Sequence, residues 1–501
     1  MTAVAVRTPR RNAQYLGAPA LGRLFWLDLK HNVMAWTLPL VIALFWLTTY
    51  RKAMALPPLW YPRAAAVQTG AVLDFVVPVT GAAAWMGGRE VRRRTADILA
   101  TVPVPRSARL LMIWAAITCW ALVGYLICVG GTYAATASQA TFGGPLWWPA
   151  AVGAASIPAF AALGLGAATL LPSRFTAPGV AAATFFVFAL STELIGGSQS
   201  VWQVSPLVSA PWDTGANAGA ATFYSYLPDL PIAQVMFLGG LTATILAGIV
   251  TMRGSGARPT QRALAAGLAV AGLLTAATAA TLTGTGKLGQ AGMMVIPDLH
   301  DAASDRPLAF SPVCSHDPIP VCLNPAFSGD LPATSAALRP LLAELAGLPG
   351  APAKVIQAAA SFQQGPGNDV MIILVGPQVG GHPPVFRLLL PDQNNGPQES
   401  SSQQASQVLA DTGPALTGYL TGADQQNASP AQQAVALALL LAAKAPRPAG
   451  GRGLAPVLEP GSAGYLAAAR FAALPPETRH TWLVDHLTAL RAGRVTLAEL
   501  P

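Results

Sequence analysis

The chain has 501 residues, of which 52% are hydrophobic and only 10% charged, with a mean hydropathy of +0.45. Soluble domains carry about a quarter charged residues, so this composition excludes an ordinary soluble protein and points to the bilayer. The net charge of +8 is uneven, with 18 Lys+Arg against 7 Asp+Glu in residues 1–286 and 12 against 15 in residues 287–501; no basic patch interleaved with aromatics points to nucleic acid.

Residues 1–20 form a polar tail with Arg7, Arg10 and Arg11 and lack the apolar core of a cleavable signal peptide. Residues 21–31 set Leu24, Phe25 and Leu27 against Arg23, Asp28 and Lys30. That mixture suits a helix lying in the membrane interface, or else the polar start of the first span. Together, residues 1–32 read as a cytoplasmic tail and interfacial helix. Seven apolar stretches follow that are long enough to cross about 30 Å of hydrocarbon. They are 33–50, 64–87, 107–135, 149–171, 176–196, 231–252 and 263–283. With the N-terminus inside, the inner segments hold 15 Lys and Arg and the outer loops only Arg51, Lys52 and Arg63. Cationic loops stay on the cytoplasmic side, so the chain is expected to be mainly α-helical and polytopic, with a membrane domain at 33–284 and everything after it outside.

Asp74 is the one acid well inside an apolar run. An intramembrane carboxylate is a functional candidate by default. The alternatives are a position near the outer interface, or a pairing with a neighbouring helix that serves assembly.

Between the second and third spans lies an arginine-rich segment with Arg89, Arg92, Arg93, Arg94, Arg106 and Arg109. Within it, Thr95–Thr101 reads as a short amphipathic helix carrying Asp97 and Ile98, stopped by Val102-Pro103-Val104-Pro105 because proline cannot donate the next helical bond. Such a segment is suited to taking up force from a soluble partner, or else it is an ordinary basic loop that sets topology.

The pattern Arg89-Glu90, Thr95, Leu99, Thr101-Val102-Pro103 and Arg106 resembles the first cytoplasmic loop of second-type, exporter ATP-binding-cassette permeases, over roughly residues 20–252. The resemblance implies that residues 88–106 dock on a separate ATPase subunit, with Arg89, Glu90, Arg92, Arg93, Asp97, Ile98 and Arg106 as coupling residues. It also implies a second permease chain, a bacterial plasma membrane, ATP bound only on the partner, and an apolar or amphipathic substrate. The chain departs from the family in a seventh span and a large outer region. A non-transporting sensor or scaffold is the alternative reading.

The outer loop 197–230 is rich in Trp, Tyr and Pro and is expected to be only partly ordered. Residues 285–501 read as an α+β extracytoplasmic domain. Helices are expected at 335–346, 352–363, 408–421, 430–444, 462–473 and 476–492, strands at 369–375 and 385–390, and solvated loop at 392–407. Ser429, Pro430 and Gln432 are a capping-box helix start. Residues 446–456 read as a Pro/Gly linker. Cys314 and Cys322, with seven residues between them in an oxidising compartment, are expected to bridge. Cys119 and Cys128 lie in the third span and read as packing residues.

Several chemistries have no sequence signature. Gly284-Thr285-Gly286-Lys287 lacks the upstream glycine of a Walker A motif, and Leu288 replaces its magnesium-binding hydroxyl. The six histidines are scattered, without a zinc-protease motif, and no esterase elbow occurs. The chain is therefore expected to be a non-enzymatic subunit without a cofactor or metal of its own.

Overall fold

The computed structural model describes residues 18–95, 104–194, 200–209, 222–253, 259–289, 292–358, 361–364, 370–373, 384–388, 390, 401–425, 427–445 and 458–501. Helix α1, Ala18–Lys30, leaves Trp26 and Leu27 more than half exposed. At its end the buried Asn32 side chain accepts the Met34 amide at 2.8 Å and starts the next helix.

Six of the described helices are long and apolar enough to cross a membrane. They are α2 (Val33–Ala55), α3 (Trp60–Gly87), α4 (Arg106–Ala137), α5 (Trp147–Leu170), α7 (Asp229–Met252, continuing to Arg253) and α8 (Pro259–Gly284). The remaining expected span is α6, Thr176–Leu194, whose apolar described part is shorter. It nevertheless packs into the bundle from one end to the level of Val72 and Val76 in α3. Ala177 packs with Ala84 and Ala168 at one end, and Phe188 packs with Val72 and Val76 further along. At 19 residues and about 1.5 Å per residue it is close to the hydrocarbon thickness. The helices continue beyond their apolar runs, so the observed bounds exceed most of the expected ones by a few residues.

Helix α3 is central, packing against α2, α4, α5 and α6, while α8 lies at the edge against α7. Two backbones meet there: a Cβ on Gly240 would lie 2.5 Å from the Gly272 carbonyl oxygen. Helix α8 leaves Leu264, Leu268, Leu273 and Leu274 exposed, a face suited to lipid. Helix α1 and residues 88–95 gather at one end of the bundle. The 56–59, 138–146 and 200–209 connections gather at the other, together with the C-terminal region.

Of the loop expected at 197–230, residues 200–209 are described and are tied to the bundle by two glutamines. The Nε2 of Gln68 donates to the carbonyls of Pro206 and Val208, and that of Gln234 donates to those of Gln203, Ser205 and Val208. Both glutamines are buried, so irregular backbone against the bundle is satisfied from within the protein.

The C-terminal region has its own core. Strands β3 (Val313–Cys314), β4 (Val321–Leu323), β5 (Lys354–Gln357) and β8 (Val385–Leu388) form one sheet in that order, the first pair antiparallel and the others parallel. Two hairpins accompany it, β1 (Lys287–Leu288) with β2 (Met294–Val295) and β6 (Ser361–Gln364) with β7 (Val370–Ile373). Helices α9 (Leu331–Leu345), α10 (Ser401–Thr421), α11 (Pro430–Ala442), α12 (Ala463–Ala473) and α13 (Pro476–Arg491) complete it. Buried Leu483, Leu487 and Leu490 lie on the expected face of α13. The capping box at Ser429 and Gln432 is formed, and Cys314 and Cys322 are disulfide-bonded across β3 and β4.

Two expectations are corrected. Residues 352–363 are not a helix but contribute β5 and β6. Alanine favours helix locally, yet Val355 is fully buried in a parallel pairing with both β4 and β8, and that burial outweighs propensity. Residues 401–407, expected as loop, are the first two turns of α10. The 446–456 linker lies outside the described residues. The C-terminal core also takes in Leu59, from the connection between α2 and α3, and Thr141 donates to the Pro325 carbonyl at 2.7 Å.

Candidate functional site

The loop after α3 is built around a buried acid. Gly88 ends α3, a single helical turn follows at Arg89–Arg92, and Glu90 on that turn points inward. Its carboxylate lies 3.1 Å from Arg109 Nε and 3.3 Å from Arg106 Nε, both on the first turn of α4. Arg109 also donates to the Val104 carbonyl at 3.0 Å. Glu90 therefore clasps the two ends of the loop. Arg89 pairs with Asp28 of α1 at 2.9 Å, and Trp120 of α4 donates to the Leu29 carbonyl at 2.8 Å. These bonds join the loop, α1 and α4 into one unit.

Arg92 folds back along the helix end. Its guanidinium sits 3.9 Å above the Trp85 ring and donates to the Trp85 carbonyl at 2.6 Å. Arg93 and Arg94 are exposed, and Arg94 takes a left-handed conformation with φ +54° that turns the chain. Asp97 and Ile98 lie outside the described residues. Beside Trp85, a groove of about 400 Å³ opens between α2, α3 and α6, lined by Thr37, Pro78, Gly81, Trp85 and Pro178 among others. At Gly81, α3 and α6 approach closely, and a Cβ there would meet Ala181 at 3.2 Å.

Asp74 lies in the middle of α3 and is buried. Thr48 and Thr49 of α2 reach the same carboxylate oxygen, at 2.9 and 2.6 Å. Of the alternatives drawn from sequence, pairing with a neighbouring helix is therefore the observed one. Both helices relax into a π turn at this level, Trp46–Tyr50 in α2 and Val72–Val76 in α3. Thr49 fits because position 70 is glycine, where a Cβ would fall 2.1 Å from its hydroxyl oxygen. Asp28 and Arg109 are legible in the sequence only as members of polar segments, and Thr48 and Thr49 not at all, since a pairing across 19 to 61 residues leaves no local pattern.

On the opposite side of the bundle, His300 bridges two acids. Its Nδ1 is 3.1 Å from Asp229, which begins α7, and its Nε2 is 3.1 Å from Asp305. Asp229 also accepts the Ile296 amide at 3.0 Å. Burial opposes the imidazolium, but the Asp305 hydrogen bond and the Asp229 charge outweigh it and raise the His300 pKa above the usual histidine range. Each ring nitrogen faces its own carboxylate, and no metal-binding group of three or more ligands occurs among the described residues. Comparison with protein-family models, with characterised protein sequences and with solved structures finds no match to this chain.

Proposed function

We propose that this chain is a permease subunit of an ATP-binding-cassette exporter, working with a separate ATPase subunit and a second permease chain. The observation that carries the reading is the clasped loop. Residues 88–95 are tied to α4 through Glu90 and to α1 through Asp28 and Arg89, while Arg93 and Arg94 stay exposed. A push on this loop would move α1, α3 and α4 together, which is the mechanical property a coupling element needs. Arginine presents a planar fork that pairs carboxylates in two-point contacts, so Arg93 and Arg94 are the side chains for an acidic surface of the ATPase. The apolar groove beside Trp85 fits an apolar or amphipathic substrate better than a polar one.

The test is co-purification of the full chain, with partners identified by mass spectrometry, followed by ATPase activity of the complex. Arg93→Gln with Arg94→Gln should weaken partner binding while leaving the chain folded and inserted. Full retention of a partner ATPase by this variant, and by Asp97→Lys and Ile98→Pro, would remove the coupling role. Topology is tested separately with Thr478→Cys on exposed α13, which should react with an impermeant maleimide in intact cells. Reaction only after lysis would place that domain inside.

The second reading is a non-transporting sensor or scaffold. It draws on the separate core of the C-terminal domain and its contact with Leu59, which could pass a signal into α2 and α3. An ATPase that neither co-purifies nor responds to loop variants would move this reading ahead.

A further inference from the structure

We infer that Asp74, Thr48 and Thr49 form a one-proton binding site in the middle of the membrane bundle. The argument is a count of hydrogens. Thr48 Oγ lies 2.8 Å from the Leu44 carbonyl oxygen and 2.9 Å from Asp74 Oδ2, and Thr49 Oγ lies 2.6 Å from the same Oδ2. These are three oxygen–oxygen contacts at hydrogen-bond distance. Each hydroxyl carries a single hydrogen, and a carbonyl or ionised carboxylate carries none. Two hydrogens cannot fill three contacts. With Asp74 ionised, Thr48 must give up either the Leu44 carbonyl or the carboxylate. One proton on Oδ2 completes the set: Asp74 donates to Thr48, Thr48 donates to Leu44, and Thr49 donates to Oδ2.

The surroundings agree with a site that gains and loses this proton. The carboxyl is buried, and the other charged or titratable groups acting on it are Lys52 from α2 and Cys128 from α4. The next residue, Phe75, packs edge to face on the Tyr125 ring of α4. Both helices are in π turns at this level, and such turns recur at functional sites. Gly70 lets Thr49 approach and so sets the spacing of α2 and α3. Proton gain or loss changes which of the three contacts is made, and therefore acts on the α2–α3 contact. This inference does not depend on the exporter reading.

The test is infrared difference spectroscopy of the full-length protein in lipid nanodiscs across the pH range in which it remains folded. The expected result is one protonated-carboxyl carbonyl band, shifted by deuterium exchange, that is lost in Asp74→Asn. Thr48→Val, which removes one hydroxyl with little change of volume, should keep the band and shift its frequency. By pH-indicator titration, the parent should take up one proton per chain more than Asp74→Asn. Three results would overturn the proposal: no band that Asp74→Asn removes, a band unmoved by Thr48→Val, or a band that responds to sodium at constant pH.

Discussion

Glu90→Ala separates a folding role from a docking role. Glu90 is 8% exposed and Arg109 is 15% exposed, whereas Arg106 is 31% exposed. Removing one member of a buried pair leaves the other charge uncompensated, at a cost of about 3–5 kcal/mol. Arg106 can turn to water, so the low end, about 3 kcal/mol, is expected here. For a helical region of this size each kcal/mol lowers the unfolding temperature by about 2–4 °C, a fall of roughly 6–12 °C. The assay is thermal unfolding in detergent, with Arg93→Ala as the exposed control expected within about 0.5 kcal/mol of the parent. Adding Arg109→Ala to Glu90→Ala should recover part of the loss, because the stranded charge goes with it. If Glu90→Ala melts with Arg93→Ala, the clasp does not hold the loop. The same geometry changes how docking is tested, since Glu90→Lys would place a cation between two arginines and unfold the loop before it altered any partner contact.

Gly164→Ala should destabilise the bundle by at least about 1–3 kcal/mol, because its Cβ would fall 2.2 Å from the Thr80 backbone oxygen, which no rotamer change can relieve; Gly130→Ala, with open space around it, should be silent in the same melt. Alkylation without reductant should leave Cys314 and Cys322 unmodified, and Cys314→Ser should cost the C-terminal domain about 2.5 kcal/mol for its short loop, read by chemical denaturation. His300 has a raised pKa when folded, so the stability it contributes is fully present below its unfolded pKa and is lost as pH rises through the folded value. Hydrogen exchange across residues 292–305 should therefore quicken as pH climbs past the usual histidine range, after correction for intrinsic exchange, and His300→Gln should remove that step.

Much of the fold was legible because it is written in short-range patterns. The spans are long apolar runs, and hydrocarbon leaves helix as their solution wherever they begin and end. Ser429, Pro430 and Gln432 start a helix through bonds within four residues, and Cys314 and Cys322 face each other because β3 and β4, close in sequence, pair antiparallel with the two in register. Asp74 stood out as a charge where charge is costly. What tertiary structure alone decided is which distant groups meet. Glu90 looked like a surface acid among arginines until the start of α4 folded over it. Thr48 and Thr49 are ordinary membrane-helix residues until α3 brings Asp74 against them. Ala351–Gln357 carries an alanine- and proline-rich helix-like start, but two neighbouring strands supply backbone partners that its own propensity does not encode. In each case the deciding energy is burial or pairing with atoms far along the chain, which local sequence cannot register.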